Sequence, residues 1–142
     1  MPTLANQFPG LPFARRADEW LESIKEKTIQ EQLEERKIYS VTIWRNWKDS
    51  DGFCLCFGFG FFFILGKKAE KHDLTLGHEI GHTFEFDLAQ DCNREIHTQD
   101  YLAGSAHDIV EDFCEAFAKR WVAANDKEAI TLFLSQLKLS GP

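Results

Sequence analysis

The residues best suited to chemistry are two histidines and a glutamate in the stretch His78-Glu79-Ile80-Gly81-His82. Residues four apart in a helix lie on one face, one turn apart, so both imidazoles can reach the same metal ion. Glu79 then projects beside them, where its carboxylate can hold a metal-bound water. This is the His-Glu-x-x-His pattern of metalloproteases, with two histidine ligands and a glutamate general base. The pattern therefore predicts a zinc-dependent hydrolytic site on a helix.

A catalytic zinc ion needs a third protein ligand and one open position, and three kinds of candidate follow the motif. The first is Glu111 on the next predicted helix. Glu115 lies one turn later, where it could hydrogen-bond a ligand histidine from behind. The other two kinds are histidines and carboxylates between or near these helices: His97, His107, Asp87, Asp91 and Glu95. The ligand types favour zinc over manganese or cobalt.

The elements that must position these residues are predicted from periodicity and from turn and cap signals. A single domain, 1–142, is expected to contain them all. Its predicted segments are 1–13 extended, 14–37 helix, 38–65 hairpin, 73–86 motif helix, 107–124 helix with Glu111, and 126–138 C-terminal helix.

The predicted hairpin consists of two strands. Residues 38–45 alternate in the manner of a strand, and Asp49-Ser50-Asp51-Gly52 is a turn signal. The second strand, 53–65, has large apolar residues at its odd positions and mostly Cys and Gly at its even ones. The small side chains at the even positions predict that another backbone approaches this face of the strand closely. That backbone could belong to a packed helix or to a substrate strand. Together these elements predict an α+β fold in which an antiparallel hairpin or small sheet packs on the motif helix.

Composition limits the kinds of partner and the cellular compartment that we expect for this protein. The formal net charge of −7 does not favour direct binding to nucleic acid or to an anionic membrane. Residues 1–13 lack a cationic region followed by an apolar run, and the longest apolar run is too short to span a bilayer. We therefore expect a cytoplasmic protein whose four cysteines, Cys54, Cys56, Cys92 and Cys114, are reduced. Cys54 and Cys56 resemble half of a zinc site, but their spacing in a strand is poor for metal ligation, so we expect them to act as small apolar side chains.

Two stretches resemble a known family. Residues 74–84, L-T-L-G-H-E-I-G-H-T-F, resemble the active-site helix of the ImmA/IrrE metallopeptidases. Residues 111–118, E-D-F-C-E-A-F-A, are similar to that family's second motif. The sequence departs from the family at Gly77, usually Ala, at Glu115, usually Asn, and at 119–122, usually an apolar run.

The resemblance spans about residues 53–124 and implies a small zincin-like domain. It implies zinc held by His78, His82 and Glu111, with Glu79 as the general base. It also implies a cytoplasmic endopeptidase that cleaves a regulatory protein such as a transcriptional repressor.

Several features of such a site stay open at this stage. An oxyanion donor is required, and Tyr101, His97 and His107 are the candidates. Two alternatives to an active peptidase are a catalytically silent zinc-binding interaction module and a small gluzincin inhibited by its own terminus.

Overall fold

The computed structural model describes residues 2–44, 52–57, 60–66, 72–87, 105–137 and 139–140. The helices are α1 Leu4–Gln7, α2 Ala14–Ser23, α3 Ile29–Glu35, α4 His72–Asp87, α5 Ser105–Ala124 and α6 Lys127–Ser135. The strands are β1 Ile38–Trp44, β2 Gly52–Phe57, β3 Gly60–Gly66 and β4 Leu139–Ser140. Helices and a small mixed sheet in one chain confirm the predicted α+β class.

The sheet has the strand order β2-β3-β1-β4. The predicted pairing of 38–45 with 53–65 as one antiparallel hairpin is wrong. Residues 53–65 are divided between β2 and β3, which pair antiparallel with each other, while β1 runs parallel to β3. Gly60 permits this arrangement, because a Cβ there would lie 2.5 Å from the Lys37 carbonyl oxygen. Phe61 N–H donates to that same oxygen at 2.8 Å, which joins the start of β3 to β1. This close approach is made by the neighbouring strand within the sheet, and not by the packed helix or substrate strand predicted for this face.

The helix predicted for 14–37 is two helices. Thr28 begins α3 with a capping box, in which its hydroxyl accepts from Glu31 N–H at 3.1 Å and the Glu31 carboxylate accepts from Thr28 N–H at 3.0 Å. The hydrogen bonds from Thr28 also hold the pKa of Glu31 below its usual value. The extended segment predicted for 1–13 instead contains α1, and Leu4 and Phe13 are buried in the core.

The core forms where α4 crosses α5. Leu76, Ile80 and Phe84 are buried on α4, as their four-residue spacing predicts. On α5 the buried aromatic residues are Phe113, Phe117 and Trp121, whereas Ile109, one turn before Phe113, is 44% exposed.

The C-terminal end of α5 is followed directly by α6. Asp126, rather than the neighbouring Asn125, caps α6 by accepting from Glu128 N–H at 3.0 Å. Asn125 instead donates to the Trp121 carbonyl and accepts from Gln32. Among the described residues, no helix is long and apolar enough to cross a membrane.

Candidate metal centre

Helix α4 brings the two motif histidines together. They lie one turn apart on one face, and their Nε2 atoms are 3.2 Å from each other. The helix carries this face toward α5, because its opposite side is fixed in the core by Leu76, Ile80 and Phe84. The predicted juxtaposition of His78 and His82 is thus present.

Helix α5 delivers Glu111 to the same point. Its Oε2 lies 3.0 Å from His78 Nε2, and its Oε1 lies 3.3 Å from His82 Nε2. Hydrogen bonds from His78 and then His82 hold the pKa of the Glu111 carboxyl well below its usual range. Of the proposed third ligands, Glu111 is therefore the one that the described structure places against both histidines.

The three side chains fit a zinc ion. Zinc bonds to histidine nitrogen and to carboxylate oxygen are about 2.0–2.2 Å long, so tetrahedral coordination separates two ligand atoms by about 3.3–3.6 Å. The separations here are 3.0, 3.2 and 3.3 Å. Two imidazoles and a carboxylate are also a donor set that zinc accepts in catalytic sites.

Glycines set the spacing between α4 and α5. A Cβ at Gly81 would lie 3.3 Å from the Cα and the Sγ of Cys114. A Cβ at Gly77 would lie 3.0 Å from Ala118 Cα. The two helices therefore approach closely enough for the Glu111 side chain to reach the histidine pair.

Glu79 lies beneath strand β2. Its residue exposure is only 4%, and a Cβ at Gly52 would lie 2.9 Å from its Oε2. Burial raises the pKa of the Glu79 carboxyl above its usual value, although His82 and His78 oppose that rise. A buried carboxyl with a raised pKa is well suited to accept and return a proton.

Glu85 on α4 holds the far side of His82. Its Oε2 lies 2.5 Å from His82 Nδ1, and its side chain is only 4% exposed. Glu115, predicted to hydrogen-bond a ligand histidine from behind, is exposed on α5. That prediction is wrong because α5 presents Cys114 and Ala118, rather than Glu115, to α4. The spacing of Glu85, three residues after His82 on one helix, was the available signal.

Two free thiols line the same region. Burial raises the pKa of the Cys114 thiol to about 11, and burial also raises that of Cys54, with the Glu79 charge adding to the effect. One ligand atom from each of His78, His82 and Cys114 lies within 4.8 Å of the others. Glu111 is the better candidate for a third ligand, because its oxygens lie 3.0 and 3.3 Å from the two histidine nitrogens and a carboxylate needs no deprotonation at neutral pH. Cys114, predicted only to be a reduced thiol, is buried and borders the site.

The surroundings of His82 also affect its protonation. Burial disfavours its charged form, but Cys114, Glu111 and Glu85 together hold the pKa of the imidazole well above its usual value.

Other predicted candidates fall outside the described part of the chain. These are His97, Tyr101, Asp91 and Glu95. His107 and Asp87 belong to α5 and α4 by their backbone, and their side chains are not described.

No protein-family model, curated protein or solved structure matches the chain.

Proposed function

We propose that this protein is a zinc-dependent endopeptidase whose general base is Glu79. The proposal is supported chiefly by one observation, the convergence of His78 Nε2, His82 Nε2 and the Glu111 carboxylate within 3.0–3.3 Å of one another. These three residues would hold the zinc ion. Nothing in the packing of the fold requires a buried glutamate beside them. Glu79 is buried close enough to both histidines for their charges to oppose the rise in its pKa that burial causes, which supports its role as the general base.

In the proposed hydrolysis, zinc and Glu79 have separate roles. When bound, zinc supplies Lewis acidity, which activates a water molecule and polarises the carbonyl under attack. Glu79 takes the proton from the attacking water and passes it to the leaving amine. Its burial under β2 keeps the carboxylate away from bulk water and limits the positions it can adopt.

A polypeptide substrate suits the position of β2. This strand ends the described strand order and passes directly over Glu79. An extended peptide that paired with β2 would be held by main-chain hydrogen bonds next to the reacting groups. The family resemblance makes a cytoplasmic regulatory protein, such as a transcriptional repressor, the proposed substrate.

The decisive experiment combines metal analysis with the Glu79→Gln variant. We expect about one zinc per chain in both proteins, with cleavage of a fluorescently labelled unfolded protein reduced by at least about 100-fold in the variant. Glu115→Gln makes the same chemical change at an exposed position and should cleave normally. Absence of zinc from the wild type, or unimpaired cleavage by Glu79→Gln, would refute the proposal.

A zinc-binding interaction module is the second candidate, and the position of Cys114 favours it. If its thiolate took the fourth coordination position, the site would be closed, as in structural zinc centres. Cobalt substitution separates the two cases, because thiolate ligation gives a near-ultraviolet charge-transfer band. A band that disappears in Cys114→Ser, with no cleavage by the wild type, would support the module. Cobalt binding without such a band would support the peptidase.

The described termini do not favour inhibition by the chain's own ends. Leu4 N–H donates to Asp18 Oδ1 at 2.9 Å, and Phe8 and Phe13 both pack edge-on against Phe113. Buried Leu4, Leu11 and Phe13 therefore attach this segment to the core. Strand β4 pairs with β1, at the opposite end of the sheet from β2.

A further inference from the structure

His82 uses both of its ring nitrogens. Its Nε2 faces His78 and Glu111, and its Nδ1 lies 2.5 Å from Glu85 Oε2. A carboxylate can only accept a hydrogen bond, so Nδ1–H donates to Glu85. In a neutral imidazole the other nitrogen, Nε2, must then carry the lone pair. Contact with Glu85 therefore selects the tautomer that presents a ligand atom toward Glu111.

The buried position of Glu85 is unfavourable for the stability of the fold. Its side chain is 4% exposed, and its Oε1 is buried with no hydrogen-bond partner in the described part of the chain. A buried carboxylate oxygen without a partner is destabilising. A group that violates a packing rule in this way is expected mainly at functional sites.

We propose that Glu85 is a positioning residue of the metal centre. It fixes the ring orientation of His82 and its Nε2-presenting tautomer, and its negative charge strengthens the donor nitrogen. This inference rests on the proposed function, since it concerns how the chain holds the zinc ion.

Zinc affinity, measured by competition with a chromogenic chelator, tests the role directly. We expect Glu85→Gln to bind zinc about 10- to 100-fold more weakly than the wild type, because the charge is lost. Glu85→Leu, which also removes the acceptor, should be weaker still. Glu115→Gln is the matched control and should bind zinc as the wild type does. If Glu85 only filled space, Glu85→Gln and Glu85→Leu would retain wild-type affinity, and that result would overturn the inference.

A second measurement needs no variant. Long-range nitrogen–proton correlation spectra of the zinc-loaded wild type report which ring nitrogen of His82 carries hydrogen. We expect a proton on Nδ1 and none on Nε2, and the reverse pattern would overturn the inference even if the Glu85 variants failed to fold. A wild type that bound no zinc would remove the proposed function itself. Normal zinc binding with an unprotonated Nδ1 would remove only the role of Glu85.

Discussion

Replacing Gly77 by Ala tests how closely the two site helices are packed. The new Cβ would lie 3.0 Å from Ala118 Cα, 3.2 Å from Ala118 Cβ and 3.1 Å from Trp121 Cε3. Ala118 has no rotamer that could relieve the contact. Trp121 is also fixed, because its Nε1–H donates to the buried Gln32 Oε1 at 2.8 Å. The added methyl group can be accommodated only if α4 and α5 move apart by a few tenths of an ångström.

Two opposing terms set the expected size of the effect. Alanine is favoured over glycine inside a helix by about 1 kcal/mol. Overpacking a filled interior costs about 1–3 kcal/mol, and contacts with backbone and with a fixed indole belong in the upper half of that range. We therefore expect Gly77→Ala to lower the free energy of unfolding by about 1–2 kcal/mol. Zinc binding should weaken as well, because Glu111 is carried on the displaced helix.

Urea unfolding of the zinc-free protein, followed by circular dichroism, measures the first of these effects. The propensity term can be calibrated in the same protein at exposed Glu115, where the difference between Glu115→Ala and Glu115→Gly should be about 1 kcal/mol. Gly81→Ala provides a graded comparison. Its three nearest contacts are all at 3.3 Å, so steric cost and propensity gain should nearly cancel.

The refuting result is a stabilised Gly77→Ala protein. If the variant gained the full alanine–glycine difference measured at Glu115, there would be room for a methyl group between α4 and α5. The close approach that places Glu111 beside the histidines would then lack its physical basis.

Two further predictions concern buried groups. Gln32→Leu should lower the unfolding free energy by about 2 kcal/mol or more, because Gln32 accepts from Trp121 Nε1–H at 2.8 Å and donates to Asn125 Oδ1 at 2.7 Å. A loss below about 0.5 kcal/mol in urea unfolding would contradict the importance of this network. Iodoacetamide near neutral pH should leave Cys114 unmodified in the folded protein, since burial raises the thiol pKa to about 11 and the reactive thiolate is scarce. Peptide mass spectrometry that found rapid native-state alkylation of Cys114 would contradict its burial.

The motif residues were predictable because their geometry is local. Helical spacing alone relates His78 and His82, and no knowledge of tertiary structure is needed to place them together. Glu111 required the resemblance to a known second motif, because residue spacing left several third ligands open. Glu85 obeys the same local rule as the histidine pair. The family motif does not point to it, because that motif uses the position of Glu115 on the next helix.

The orientation of α5 explains why Glu115 fails. The residues after Glu111 that meet the α4 glycines are Cys114, Phe117, Ala118 and Trp121, and Glu115 is not among them. Which residues of a helix face its neighbour depends on how the two helices cross, and one helix's sequence does not specify that crossing. The same limit applies to the sheet. Alternation predicts that 38–45 is a strand, but a period of two does not indicate whether the neighbouring strand is parallel or antiparallel.

Three glycines connect the fold to the candidate chemistry. Gly52 lets β2 pass over Glu79, while Gly77 and Gly81 let α5 approach α4. Each glycine inside a helix or strand weakens that element by itself, so their local effect opposes folding. What they permit is the approach of two neighbouring backbones to opposite sides of α4. Without Cβ atoms at these positions, a general base can be covered by a strand on one side while a carboxylate from the other side reaches the histidine pair. We infer that the spacing of the site is set by residues that have no side chain and therefore take no part in the chemistry.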